Sequence, residues 1–299
     1  VSSLAVVGIA GGAFGGYWLV RYLRPRYSPL VLNGAVVVIT GASAGIGRAY
    51  AEAFGRRGAK VVLVARRAAL LDEVRREIEP YASEVMVIAA DLTNEAERAS
   101  VIAAVLDHFG RINILINNAG VVVTGPLETY DADAVDNVIT VNLLAAIALT
   151  RLALPAMVLR KRGIIVNVAS IAGRIASPGY SVYNASKSGL LGFSDTLRRD
   201  LHGTGVEVLS VLPGYTQTDM VPDALVRHLQ QSGVSIFNAA DVAEATIKAI
   251  LNGENEVFIA GPILRLLAYM DRRYPNLTSV IFQAINTPRH IEAIRKQSQ

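Results

Sequence analysis

Cysteine is absent from the 299-residue chain, which excludes disulfides, thiolate-held zinc and a thiol nucleophile. Histidine is scarce. His108, His202, His228 and His290 are scattered without ligand spacing, so no metal site is expected. Charged residues make up only 18% of the chain against 52% hydrophobic, an apolar balance for a globular protein. The net charge of +4 is mild, and Lys and Arg mix with acids rather than lining an aromatic-studded stripe. That argues against nucleic acid as a partner. No internal repeat or low-complexity tract interrupts the sequence, which is long enough for one large α/β domain with a substantial core.

Charge is missing altogether from residues 1–20. At about 1.5 Å per residue, a helix over that stretch approximates the ~30 Å hydrocarbon core of a bilayer. Arg21, Arg24 and Arg26 follow, Tyr17, Trp18 and Tyr22 stand at the boundary, and Gly8, Gly12 and Gly16 form a small-residue stripe. These features suit an interfacial belt and close helix pairing. A membrane anchor is therefore expected over 1–24, followed by a linker over 25–33. The basic flank would place the main domain on the cytoplasmic side. A glycine-rich leader is the competing reading. A cleaved signal peptide would want a basic leading region and a small-residue cleavage site, and neither is visible.

From residue 34 the pattern alternates. Short β-branched runs at 36–40, 60–65, 84–89, 112–117, 163–168 and 207–212 are apolar nearly throughout, as parallel strands covered on both faces should be. Helical patterns lie between them near 46–57, 68–79, 95–109, 133–160 and 181–202, and another near 241–252 leads to a seventh strand at 257–260. Repeated βαβ units predict an α/β, Rossmann-type, doubly wound parallel sheet of seven strands over 34–260. Beyond it, Ile263, Leu266, Leu267, Met270 and Tyr274 share one helical face, with Arg265, Arg272 and Arg273 largely on another. Such an amphipathic tail over 261–299 suits a membrane surface. It suits equally well packing on its own subunit or on a dimer mate.

Several residues carry chemistry. The first strand runs straight into 40–47, TGASAGIG, and a helix follows. Gly41, Gly45 and Gly47 permit a tight turn and close backbone approach to a pyrophosphate at the helix N-terminus. The second strand ends at Ala65 with Arg66 and Arg67 next and no acid before Asp72. An acid at that point would hold a ribose 2′-hydroxyl, whereas an arginine pairs with a 2′-phosphate. Arg66, helped by Ser43, therefore points to NADP(H); two solvated loop arginines are the alternative. Tyr183 and Lys187, at i and i+4, lie one turn apart on a helix. An ammonium beside a phenol favours the phenolate, and a hydroxyl such as Ser170 completes a general acid/base set for a C–O group.

Together these motifs resemble those of the short-chain dehydrogenase/reductase family over about residues 34–260. The likeness extends the site. It implies cofactor contacts from Gly41, Ser43, Ala44, Gly45, Ile46 and Gly47 in the turn and from Arg66 and Arg67. Further contacts are implied from Asp91 and Leu92, from Asn118, Ala119 and Gly120 in the NNAG stretch, and from Pro213, Gly214, Thr216 and Thr218 after the sixth strand. It implies a catalytic tetrad of Asn142, Ser170, Tyr183 and Lys187. In that scheme Ser170 polarises the substrate oxygen and Tyr183 transfers the proton. Lys187 lowers the tyrosine pKa and binds the nicotinamide ribose, and Asn142 positions a water.

The resemblance also implies a homodimer or homotetramer built partly on the helices near 133–160 and 181–202. The segment 219–240 reads as a lid made greasy by Met220, Val221, Leu225, Val226, Leu229 and Phe237. With the expected anchor, the layout is similar to membrane-anchored hydroxysteroid and retinol dehydrogenases and to long-chain ketone reductases, which implies a steroid, retinoid or long-chain substrate. The expectation is an NADP(H)-dependent, membrane-associated oxidoreductase acting on a lipophilic ketone, aldehyde or alcohol. A soluble reductase of small carbonyls and a non-catalytic NADP(H)-binding sensor or scaffold are the alternatives.

Overall fold

Seven parallel strands form the sheet expected from the β-branched runs, in a computed structural model that describes residues 31–218, 220 and 234–285. The strands are β1 (Val36–Thr40), β2 (Lys60–Ala65), β3 (Glu84–Ala89), β4 (Ile114–Asn117), β5 (Gly163–Val168), β6 (Val206–Pro213) and β9 (Glu256–Ile259). Their order across the sheet is β3-β2-β1-β4-β5-β6-β9. The short β7 (Thr216–Gln217) and β8 (Phe237–Asn238) pair with each other apart from it. The central strands are buried on both faces, and Val36, Val37, Val38 and Ile39 have no exposure. Each such side chain contributes about 1.5–3 kcal/mol, which is why these runs carry no polar alternation. The fourth strand begins two residues later than the sequence pattern implies. There the Asn113 side chain takes the Val36 N–H (2.9 Å).

Helices α1 (Gly45–Gly55), α2 (Ala68–Ile78), α3 (Glu95–Phe109), α4 (Ala132–Leu159), α5 (Ser181–Asp200) and α6 (Ala239–Leu251) connect the strands. Strand order reverses between β1 and β4. That switch opens a crevice at the carboxyl ends of the strands, the place where an open α/β sheet takes its ligand.

The membrane expectation needs correction. Among the described residues the one helix long and apolar enough to span a bilayer is Ala132–Leu159, in the middle of the chain and not at its N-terminus. Its Ala145, Leu149, Ala153 and Met157 are buried in the core with Leu115 and Ile165 of the sheet. Its apolarity thus serves sheet covering, which uses the same composition as lipid contact. The anchor expected over 1–24 lies outside the described residues, as does most of the 219–240 lid.

The tail is helical, as α7 (Pro262–Arg273) and α8 (Pro275–Ile285), and only part of the expected apolar face packs: Leu267 belongs to the packed stripe, which is turned toward Leu264 and Ala268. Leu264, Leu267 and Ala268 turn inward against Ile171, Ile175 and Ala260. Ile263, Leu266 and Tyr274 are more than half exposed. The inward stripe runs i, i+3, i+4 and continues to Asp271. A polar group ends that stripe.

Candidate active site

Glycine shapes the turn after β1. Gly41 and Gly45 adopt positive φ (67° and 52°), a region that side chains disfavour. A Cβ on Gly47 would stand 2.0 Å from the Gly41 carbonyl, and one on Gly41 2.9 Å from Ala119 Cα. The backbone is therefore closed down to a spacing only glycine allows. The N-cap of α1, Ala44, supplies no side-chain cap, and the first turn, which includes Ile46, holds no acid. The leading N–H groups of a helix have no partner within it. A pyrophosphate fits that donor set and the positive end of the helix dipole.

Thr40 was not among the expected contacts, yet it organises this turn. Its hydroxyl donates to the Ile116 carbonyl (3.2 Å) and accepts from the N–H groups of Asn118 (2.9 Å) and Ala119 (3.0 Å). The Asn118 amide returns a bond to the Thr40 carbonyl (2.9 Å). Asn117 stays structural, donating to Thr150 (3.1 Å) and Asn167 (2.8 Å) inside the core. Thr216 Oγ1 donates to the Gly214 carbonyl (3.2 Å), and Gly214, after Pro213, donates to Ile259 of β9 (2.8 Å). Thr218 reaches back to the turn, 3.1 Å from where a Gly45 Cβ would stand.

The two arginines after β2 divide their work. Arg67 Nη2 donates to Ser43 Oγ of the glycine turn (3.0 Å). Arg66 faces Asp91, whose carboxyl is held below its usual range first by the Thr93 N–H, then by the Thr93 hydroxyl and the Arg66 charge. Leu92 beside it is buried. Ser43 is therefore bonded to Arg67, while Arg66, the arginine expected to meet a 2′-phosphate with help from Ser43, lies beside Asp91. Alternation along the chain turns adjacent side chains to opposite sides, and only the packed loop fixes which one faces the turn.

The expected tetrad converges on the carboxyl ends of β4, β5 and β6. Ser170 follows β5, and its Oγ accepts from the Ala172 N–H (3.1 Å). Burial pushes the Tyr183 phenol above its usual pKa. A side-chain hydrogen bond with Ser170 works against that, and Tyr180 adds to it. The Tyr180 ring meets Tyr183 edge-on with centroids 6.4 Å apart. Lys187 Nζ lies 5.8 Å from the Tyr183 ring centre and donates to the Val168 carbonyl (2.9 Å). Burial lowers its pKa to about 8. Loss of water thus raises the phenol and lowers the ammonium, opposite to the depression of the phenol expected from their spacing.

Asn142 sits in a π-turn, Thr140–Leu144, inside α4, a local bulge of the kind common at functional sites. Its Oδ1 accepts from the Val121 N–H (2.8 Å), and its amide donates to the Val121 carbonyl (2.9 Å) and Ser186 Oγ (3.0 Å). Ser186 Oγ in turn donates to the Tyr183 carbonyl (2.7 Å). Ser186 was invisible as a site residue because its partner is 44 positions away. Gly120 completes the cluster: a Cβ there would stand 3.4 Å from Asn142 Oδ1 and 3.5 Å from Lys187 Nζ.

Residues 35–229 match the family model described as short chain dehydrogenase. The chain is 38% identical to the ketoacyl reductase HetN of Nostoc sp. over 229 residues, which cover 76% of this chain and 79% of that one. It is 32% identical to dehydrogenase/reductase SDR family member 7B of Mus musculus over 286 residues, covering 92% and 88%. A short chain dehydrogenase/reductase from Burkholderia phymatum in complex with NAD superposes with a TM-score of 0.76 at 29% identity, covering 83% of this chain and 96% of that one. A metagenomic short-chain oxidoreductase in complex with NADP gives 0.66 at 34% identity, covering 77% and 98%.

Proposed function

The chain belongs to the short-chain dehydrogenase family and is an oxidoreductase acting on a carbonyl or alcohol, and from that premise we propose that it uses NADP(H) and reduces a lipophilic ketone or aldehyde. The observation that supports NADP(H) is Arg67 bonded to Ser43 at the glycine turn, with no acid at the end of β2 to receive a ribose hydroxyl. Related structures hold either NAD or NADP, so the preference rests on this chain's own side chains. The apolar substrate is supported by the aromatic wall beside Tyr183. Tyr180 packs on its edge, and Tyr215, whose phenol burial pushes above its usual pKa, lies near Tyr180. The name of the Nostoc relative adds weight to ketone reduction.

The bound nicotinamide supplies or takes up the hydride. Gly41, Gly45 and Gly47 would admit a pyrophosphate, Asp91 and Leu92 would hold the adenine end, and Asn118, Ala119, Gly120, Pro213, Gly214, Thr216 and Thr218 would hold the nicotinamide end. Ser170 holds the substrate oxygen against Tyr183. As negative charge grows on that oxygen, Tyr183 gives it the phenolic proton. A phenol pushed above its usual pKa by burial remains protonated at neutral pH, the state that carbonyl reduction needs. Lys187, charged below its pKa of about 8, stabilises the phenolate left behind. Both amide protons of Asn142 are engaged, so its side chain fixes the Tyr183 turn through Ser186 and does not itself carry protons.

The test is a binding titration of NADPH against NADH with wild type, Arg66→Ala and Arg67→Ala. NADPH should be preferred by roughly 10- to 100-fold, the worth of a charge-assisted hydrogen bond, and Arg67→Ala should remove the preference. Equal binding of the two nucleotides, or a preference untouched by Arg67→Ala, would refute the assignment.

A further inference from the structure

The wall between Ser170 and Tyr183 is held from outside the sheet. Ser170 leads into a 3-10 turn, Ile171–Gly173, and residues 174–180 then run to α5. The turn lies flat on that helix: a Cβ on Gly173 would stand 2.7 Å from Leu191 Cδ1 and 2.9 Å from the Lys187 carbonyl. The underside of the segment, Ile171 and Ile175, rests on Ala268, Leu264 and Leu267 of α7. Farther along, the Tyr130 hydroxyl donates to the Gly179 carbonyl (3.0 Å). Both halves of the wall thus have an anchor.

One peptide group in this wall is gripped from both sides. The Ile175 carbonyl accepts from Asn184 Nδ2 (3.2 Å), on the residue next to Tyr183. The Ala176 N–H donates to Asp271 Oδ2 on α7 (2.9 Å). That C=O and N–H belong to the same planar unit, so the peptide cannot rotate without breaking both bonds. The other Asp271 oxygen accepts from Thr278 Oγ1 on α8 (2.5 Å), and Thr278 is wholly buried. The hairpin is in turn tied to β9 by Arg265, which donates to the carbonyls of Ala260 (2.9 Å) and Phe258 (2.7 Å). A carboxylate fixed this firmly holds an N–H more strongly than a neutral acceptor would.

We propose that Asp271, oriented by Thr278, is a positioning residue for the substrate side of the site: it sets the Ile175–Ala176 peptide and, through Asn184, the first turn of the helix that bears Tyr183. The C-terminal hairpin is then part of the catalytic apparatus and not an appendage. The cofactor side is built from the 41–47 turn, residues 66–67 and 118–120, so its affinity is insulated from this contact. The kinetic consequence rests on the reading of the protein as a carbonyl reductase; the structural consequence does not.

The experiment uses the full chain with Asp271→Ala, Thr278→Val and Thr278→Ser. Decan-2-one serves as carbonyl probe, with NADPH titration and hydrogen exchange over 171–184 as further readouts. Asp271→Ala and Thr278→Val should raise KM for decan-2-one roughly tenfold, the effect of one lost charge-assisted hydrogen bond, with a smaller change in kcat and NADPH affinity unaltered. Exchange over 171–184 should accelerate, and Thr278→Ser should restore wild-type KM. An unchanged KM, a loss of NADPH affinity in step with KM, or a serine variant as impaired as the valine would overturn the proposal. If the wild type turns over no carbonyl probe, the carbonyl-reductase reading fails, and exchange still decides the clamp. Faster exchange at 171–184 in Asp271→Ala with NADPH affinity intact supports it, and a change confined to 262–285 refutes it.

Discussion

Replacing Lys187 with methionine should stabilise the protein while abolishing its turnover. The ammonium is enclosed, and burial lowers its pKa from 10.5 to about 8. At ~1.36 kcal/mol per pKa unit, that fall costs the folded state about 3 kcal/mol at pH 7, where the group is charged whether folded or unfolded. Methionine fills a similar volume and carries no charge. It leaves the Val168 carbonyl without its present donor, a loss of about 1 kcal/mol. The net gain is therefore about 2 kcal/mol, or roughly 4–8 °C in melting temperature for a domain of this size. The pH dependence identifies the cause. The unfolded lysine keeps its proton up to about 10.5 and the folded one only up to about 8, so between those values the unfolded state binds more protons and wild-type stability rises with pH. About 2 kcal/mol of the penalty is recovered between pH ~7 and ~9.5. Above about pH 10 stability falls in both proteins, because buried phenols such as Tyr50 and Tyr183 hold protons that the unfolded chain releases. Thermal melts of nucleotide-free wild type and Lys187→Met across that range are the assay. A variant that melts lower at pH 7, or one whose stability climbs with pH as steeply as wild type, would refute the reasoning.

Three further outcomes follow from the geometry. Tyr183→Phe removes the proton donor but little volume, so turnover should fall by about 10²–10⁴ while NADPH binding, measured by fluorescence, is retained. Gly47→Ala drives a methyl to within 2.0 Å of the Gly41 carbonyl; nucleotide binding should be lost in titration, and an affinity near wild type would mean that the turn is far less tightly closed than described. Tyr50→Phe deletes a buried hydroxyl 2.8 Å from Thr246 Oγ1, which keeps its own bond to the Val242 carbonyl. Stability should drop by about 1 kcal/mol in denaturant unfolding, with kcat and KM untouched.

What the sequence reveals and what it hides follow from the range of the forces involved. The strands were legible because a parallel strand covered on both faces needs an unbroken apolar run, a local property that Val36–Thr40 displays by itself. The glycine turn was legible for the same reason, since positive φ at Gly41 and Gly45 is a local demand. The balance at Lys187 was not. Spacing places an ammonium near a phenol, but whether charge or desolvation wins depends on how completely the surrounding elements exclude water, and here burial dominates. The choice between Arg66 and Arg67 turned on loop packing, and the links from Asn142 to Ser186 and from Asp271 to Ala176 span 44 and 95 positions.

Apolar composition misleads in a related way. The helix Ala132–Leu159 would pass for a membrane span by length and hydropathy, yet its buried side chains cover the sheet, and lipid and protein interior select the same residues. The tail shows the converse. Ile263 and Leu266 are exposed, while the stripe that packs, with Leu264, Leu267 and Ala268, ends in Asp271, whose carboxylate accepts from the Ala176 N–H. A polar residue at the end of an apolar stripe is therefore the place to look for a contact that hydropathy cannot show, and Asp271 is the case in which that contact reaches, through the Ile175–Ala176 peptide and Asn184, the turn that carries Tyr183.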